Sequence, residues 1–244
     1  MPVLGGIAFF TLFFLGLWVV ATVINDRAEP TSAIGNKVFE VGKVEVMATP
    51  VHRCSNVAPI RGPLHCLVNN ASLFEPDTGL DFEPALARSQ LEVNLIAPLT
   101  LARDLARQMA AQPAPEDACV IHVLDQKVFN LNPDYFSYSI SKLALERAVA
   151  LQAQALAPRV RVCGVAPGLM FLSGPQAPEN FERASRVNLL RRPIDPADVA
   201  RTCLFLAQTP SITGSTVSVD NGQHLVPLER DVMFVVDELM KAPQ

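Results

Sequence analysis

The 244 residues suffice for one domain with a full core, and an apolar share of 50% against 18% charged is far from a disordered composition. A net charge of −4 with no basic cluster leaves no electrostatic footprint for nucleic acid, so none is expected as a partner. Five widely spaced cysteines without a Cys-x-x-Cys pair, and four scattered histidines, argue against a disulfide framework and against a metal site.

Val3 to Ile24 is a run of 22 residues without a charge. A helix of that length would reach about 33 Å, against a bilayer core of about 30 Å. Residues 1–24 are therefore expected to form a hydrophobic helix, with membrane contact through residues 3–24. A buried helix of a soluble fold is the other reading. A cleaved signal peptide fits less well, because no Lys or Arg precedes the run. Residues 25–60 read as a linker or divergent strands. Val38 to Val51 alternates enough for one or two short strands, and Pro30, Gly35, Gly42, Pro50 and Pro59 punctuate the segment.

From Arg61 to the end the pattern alternates. Leu64 to Val68 is a short apolar run ended by Asn69-Asn70, and Phe82 to Gln112 has apolar residues at helical spacing. Ala118 to Leu124 is β-rich, Tyr138 to Leu156 is helical and stops before Pro158, and Val160 to Val165 is another buried strand. Asp195 to Gln208 predicts a helix capped by Asp195 with Pro196 at its first position. Ser215 to Val219 predicts a last strand. Strands alternating with helices imply an α/β fold, a Rossmann-like doubly wound parallel sheet. Ligands in such sheets bind past the carboxyl ends of the strands. The loops after Val68, Leu124 and Val165 are where chemistry belongs.

Tyr138 and Lys142 form Tyr-x-x-x-Lys near a helix start. Positions i and i+4 share a helix face, so phenol and ammonium can serve one site. A nearby cation should lower the tyrosine pKa and fit it for acid–base work near neutral pH. The pair alone is weak evidence, since a tyrosine over a solvated lysine is common. Its company is not: Leu67-Val68-Asn69-Asn70-Ala71, Val93-Asn94, Asp125 thirteen residues before Tyr138, Ala166-Pro167-Gly168, and Ile212-Thr213-Gly214 stand in this order.

Together these elements resemble the short-chain dehydrogenase/reductase family from residue 61 to 244. The resemblance implies Tyr138 as proton donor to the substrate, and Lys142 holding the nicotinamide ribose and tuning Tyr138. It implies Asn94 as anchor of a water relay to Lys142. Asn69 and Ala71 would line the adenosine side of the cofactor, and Pro167 and Gly168 would approach the nicotinamide. Most family members carry serine where Asp125 stands. Asp125, the stretch Asn130 to Lys142 and the tail Gly222 to Leu228 resemble the pteridine reductases, of the dihydromonapterin and dihydrofolate reducing kind. That resemblance implies NADPH rather than NADH, a pteridine substrate, a cytoplasmic catalytic domain, and a homodimer or homotetramer built on the helices near Phe82 and Tyr138.

One family feature is missing. The glycines before Asn69 are Gly5, Gly6, Gly16, Gly35, Gly42 and Gly62, and none forms the glycine-rich turn that receives the cofactor pyrophosphate. The fold is thus expected without its first βαβ elements. A catalytically silent chain that works by binding or by partnering another subunit is the alternative function.

Overall fold

The computed structural model describes residues 12–14, 17–19, 21–24, 64–111, 117–172 and 176–239. Three short strands come first: β1 (Leu12–Phe14), β2 (Leu17–Val19) and β3 (Ala21–Ile24). Then follow β4 (Cys66–Asn69), β5 (Ser72–Leu73), α1 (Pro84–Leu91), a π-helical turn (Glu92–Ile96), α2 (Ala97–Ala110) and β6 (Ala118–Val123). A 3-10 turn (Gln126–Val128) leads to α3 (Phe136–Leu156) and β7 (Val160–Pro167). Last come α4 (Pro178–Ala184), α5 (Pro196–Gln208), β8 (Thr216–Val219), a 3-10 turn (Gln223–Leu225) and α6 (Val232–Leu239).

The main sheet has the order β3-β4-β6-β7-β8. β4, β6, β7 and β8 are parallel, and β3 joins β4 antiparallel in the register Ala21↔Asn69. Alternate strand residues feed two cores. On one face Leu67, Val120 and Val162 pack with Leu105 of α2 and with Leu145 and Val149 of α3. On the other, Val68, Ile121 and Val165 pack with Val199 and Leu206 of α5. Helices on both faces make the sheet doubly wound, as the alternating pattern implies. Cys66, Cys119, Cys163 and Cys203 are free and buried in the second core, as small hydrophobes.

The ten described residues of the run 1–24 are strand, and the rest of the hydrophobic helix expected there lies outside the described residues. Phe13, Phe14, Trp18, Val19, Thr22, Val23 and Ile24 are residue types that favour a pleated surface. Pairing with β4 also satisfies backbone groups that β4 would otherwise leave unpaired on that side. Among the described residues no helix is long and apolar enough to cross a membrane. The strands expected within Val38 to Val51 lie outside the described residues.

The helical pattern over Phe82 to Gln112 is divided rather than continuous. Pro98 has no N–H to offer the carbonyl of Asn94 four residues earlier, so the α-helical ladder breaks there and a π turn joins α1 to α2. Asp195 caps α5 as expected: its Oδ1 accepts from the Ala197 amide at 2.9 Å, with Pro196 in the first turn.

Candidate active site

At the carboxyl ends of β4, β6 and β7 lies a cavity of about 620 Å³. Its wall includes Asp125, Tyr138, Lys142, Pro167 and Gly168. The sequence places Tyr138 and Lys142 one turn apart on α3, and α3 packs so that both are buried. Asp125 follows β6, where the strand hands over to the 3-10 turn. Tyr138 donates its hydroxyl to Asp125 Oδ2 at 2.8 Å, and the Lys127 amide donates to Asp125 Oδ1 at 2.8 Å. Both carboxyl oxygens are therefore fixed. Lys142 Nζ donates to the Val123 carbonyl at 2.9 Å and sits 5.8 Å from the centre of the Tyr138 ring.

Burial dominates the electrostatics of these three groups. It pushes the Tyr138 pKa well above the usual tyrosine value, and the adjacent charge of Asp125 pushes in the same direction. Asp125 is also raised by desolvation, against the Lys127 amide and the charges of Lys127 and Lys142. Desolvation lowers Lys142 to about 8, with Asp125 opposing. The expected lowering of the Tyr138 pKa by Lys142 is thus reversed. The phenol keeps its proton near neutral pH and is poised to donate it.

Asn94 stands in the π turn behind the cavity, fully buried. Its Oδ1 accepts from the Leu73 amide at 2.7 Å, and its Nδ2 donates to the Leu73 carbonyl at 2.8 Å and to Ser141 Oγ at 3.0 Å. Ser141 in turn donates to the Tyr138 carbonyl at 2.6 Å. The side chain of Asn94 thus ties β5 to the turn of α3 that carries Tyr138. Asn69 and Ala71 do not line the cavity, whereas Asn70 and Ser72 do. Asn69 turns its amide to His122 Nδ1 at 3.1 Å, and His122 Nε2 meets Gln152 Oε1 at 2.8 Å. Burial lowers the His122 pKa to about 4, so the ring is neutral. Gly168 sits too close to its neighbours for any side chain: an added Cβ would lie 2.7 Å from Ile194 Cδ1 and 2.9 Å from Asp220 Cβ. Its neighbour Leu169 gives its amide to Gln223 Oε1 at 2.8 Å.

Several wall residues carry no motif. Phe74 stands edge-on to Tyr138 with ring centres 4.7 Å apart. Lys127 pairs with Asp231 at 2.8 Å, and both line the cavity. The signal for Lys127 was its place two residues after Asp125, but Asp231 meets it only through the fold.

A desolvated acid, a protonated phenol and a lysine, side by side on a cavity at the strand ends, can protonate a substrate atom while hydride reaches its neighbour. Residues 15–224 match the family model described as enoyl-(acyl carrier protein) reductase. Galactitol 2-dehydrogenase (L-tagatose-forming) of Cereibacter sphaeroides is 28% identical over 209 residues, 81% of this chain and 80% of that protein. Dihydromonapterin reductase of Citrobacter koseri is 26% identical over 164 residues, 66% of this chain and 67% of that protein. The crystal structure of FolM alternative dihydrofolate reductase 1 from Brucella canis, complexed with NADP, is 42% identical with a TM-score of 0.64. That match covers 67% of this chain, and the chain spans less than two thirds, 64%, of the length of the Brucella protein.

Proposed function

The chain belongs to the short-chain dehydrogenase/reductase family, and on that premise we propose that it reduces a pteridine, a dihydropterin or a dihydrofolate, with NADPH as reductant. The observation that carries this reading is the 2.8 Å hydrogen bond from Tyr138 to Asp125. The serine usual at this position suits a carbonyl oxygen. A carboxyl instead accepts from the amino and ring N–H groups of a pteridine. Phe74 adds an aromatic wall on which a flat ring can lie.

The cavity suits the nicotinamide end of NADPH. Lys142 offers its ammonium for the ribose hydroxyls, and Pro167 and Gly168 leave backbone rather than bulk beside the ring. No glycine-rich turn for the pyrophosphate stands among the described residues. The NADP complex of the Brucella relative supports the choice of cofactor. When bound, the cofactor supplies a hydride to a ring carbon. Tyr138 gives its proton to the adjacent ring nitrogen, so one hydride and one proton add across a C=N bond. Lys142 stabilises the phenolate left behind, and Asp125 orients the substrate and the phenol. Asn94, through Ser141, holds the turn of α3 that carries Tyr138. A catalytically silent chain has no use for this desolvated set, and that alternative draws no support from the site.

Titration of NADPH into the full chain, followed by nicotinamide fluorescence, tests the cofactor half of the proposal. Saturable binding at micromolar concentration is expected. Absence of binding at millimolar concentration would overturn it.

A further inference from the structure

Lys127 is a buried cation that the proposed reaction does not use. Its side chain is 5% exposed, and its Nζ contacts Asp231 Oδ2 at 2.8 Å and Asn132 Oδ1 at 2.7 Å. Its backbone amide is the group that fixes Asp125 Oδ1. One residue thus touches the catalytic carboxyl with its main chain and the carboxy-terminal segment with its side chain. Beside it, Arg230 forks onto both oxygens of Asp134 at 2.7–2.9 Å, and the Asp231 amide donates to Asp134 at 2.7 Å. The segment before α6 is therefore clamped to the loop before α3 at two points. Paired charges in a desolvated wall exert their full effect on neighbours, because little water screens them.

We propose that Lys127 and Asp231 are a positioning pair for Asp125. Lys127 orients the carboxyl and favours its anion, and Asp231 sets how much of the Lys127 charge Asp125 experiences. The groups acting on Asp125 are Lys127 from its own turn and Tyr138 and Lys142 from α3; Asp231, from the segment before α6, pairs with the Lys127 ammonium, and Asp134 and Arg230 stand behind it. The Lys127 charge favours the Asp125 anion, and the Asp231 charge reaches as far as Tyr138. The pair links the carboxy-terminal segment to the proton chemistry of the site. Its role in turnover rests on the reaction proposed above.

The test reads Asp125 directly in the full chain, by 13C NMR titration of its side-chain carboxyl, assigned by loss of the signal in Asp125→Asn. Lys127→Met should raise the apparent Asp125 pKa, and Asp231→Asn should lower it. Lys127→Arg, which keeps the charge, should restore most of the wild-type value. Arg230→Gln loosens the same segment without touching the pair, and should leave Asp125 unmoved. Lys127→Met and Asp231→Asn are independent, so the misfolding of one leaves the other to decide. An Asp125 titration unmoved in either folded variant, or moved equally by Arg230→Gln, would overturn the proposal. In turnover, the pH profile of kcat/KM should shift with the NMR value while NADPH affinity holds. A chain that reduces no pteridine would count against the reaction alone, since the NMR titration still decides the pair.

Discussion

Tyr138 keeps its proton because burial disfavours the phenolate and Asp125 places a negative charge beside it. Tyr138→Phe removes that proton and little else. Turnover should fall by roughly 10²–10⁴-fold with NADPH affinity nearly unchanged, measured by steady-state kinetics and by fluorescence. Asp125→Ser should impair reduction of a dihydropteridine more than reduction of a simple ketone, and equal loss on both would argue against a pteridine-specific role. Lys142 must be charged to stabilise the phenolate, and its pKa lies at about 8. Turnover should therefore fall as pH rises through about 8, as a property of the coupled Asp125–Tyr138–Lys142 set. An inflection at the ordinary lysine value of 10.5 would contradict this. The sequence pattern pointed to Asp125, Tyr138 and Lys142, which meet at one cavity, and to Asn69 and Ala71, which do not line it, and it misled on proton affinity. Tyr-x-x-x-Lys announces a cation near the phenol, but it says nothing about desolvation or about Asp125 lying 2.8 Å away.

β6 carries His122 one residue before its end, held neutral between Asn69 and Gln152. Its folded pKa of about 4 lies below the usual 6.5, so below pH 6.5 the unfolded chain binds the extra proton and the fold does not. The stability due to this group is present above 6.5 and is lost as pH falls through about 4. Chemical denaturation across that window should show the loss, and His122→Asn should flatten it. β7 ends on Pro167 and passes to Gly168, where Ile194 and Asp220 leave no space for a Cβ. Gly168→Ala should cost about 1–3 kcal/mol and weaken NADPH binding, measured by denaturation and by fluorescence titration. Element type was readable where apolar runs were bounded by turns: Ala118 to Leu124 became β6 at Ala118–Val123, and Asp195-Pro196 opened α5 where the cap chemistry places it. The π turn was not readable, because one pattern of apolar spacing spans it and only the missing N–H of Pro98 marks the break.

Across the whole molecule, the catalytic half of the fold follows from the alternation of strands and helices, while its far contacts do not. Arg230 and Asp134 are 96 residues apart and carry no shared motif. The absence of a glycine-rich turn before Asn69 was legible. The pairing of β3 with β4 was not, because an apolar run of 22 residues satisfies helix and strand alike. Leu80, Phe82, Ile96, Ile140 and Leu151 remain exposed on or near α1 to α3. We expect α1 to α3 to associate with a second copy through these residues, giving a dimer or tetramer by light scattering, with Leu151→Glu shifting it toward monomer. A wild-type monomer at micromolar concentration would oppose that assembly. The most direct test of the account is oxidation of NADPH by the full chain in the presence of a dihydropteridine. The account predicts substrate-dependent oxidation that disappears in Tyr138→Phe. Substrate-dependent oxidation that persists in Tyr138→Phe, or none in the wild-type chain with NADPH bound, would contradict it.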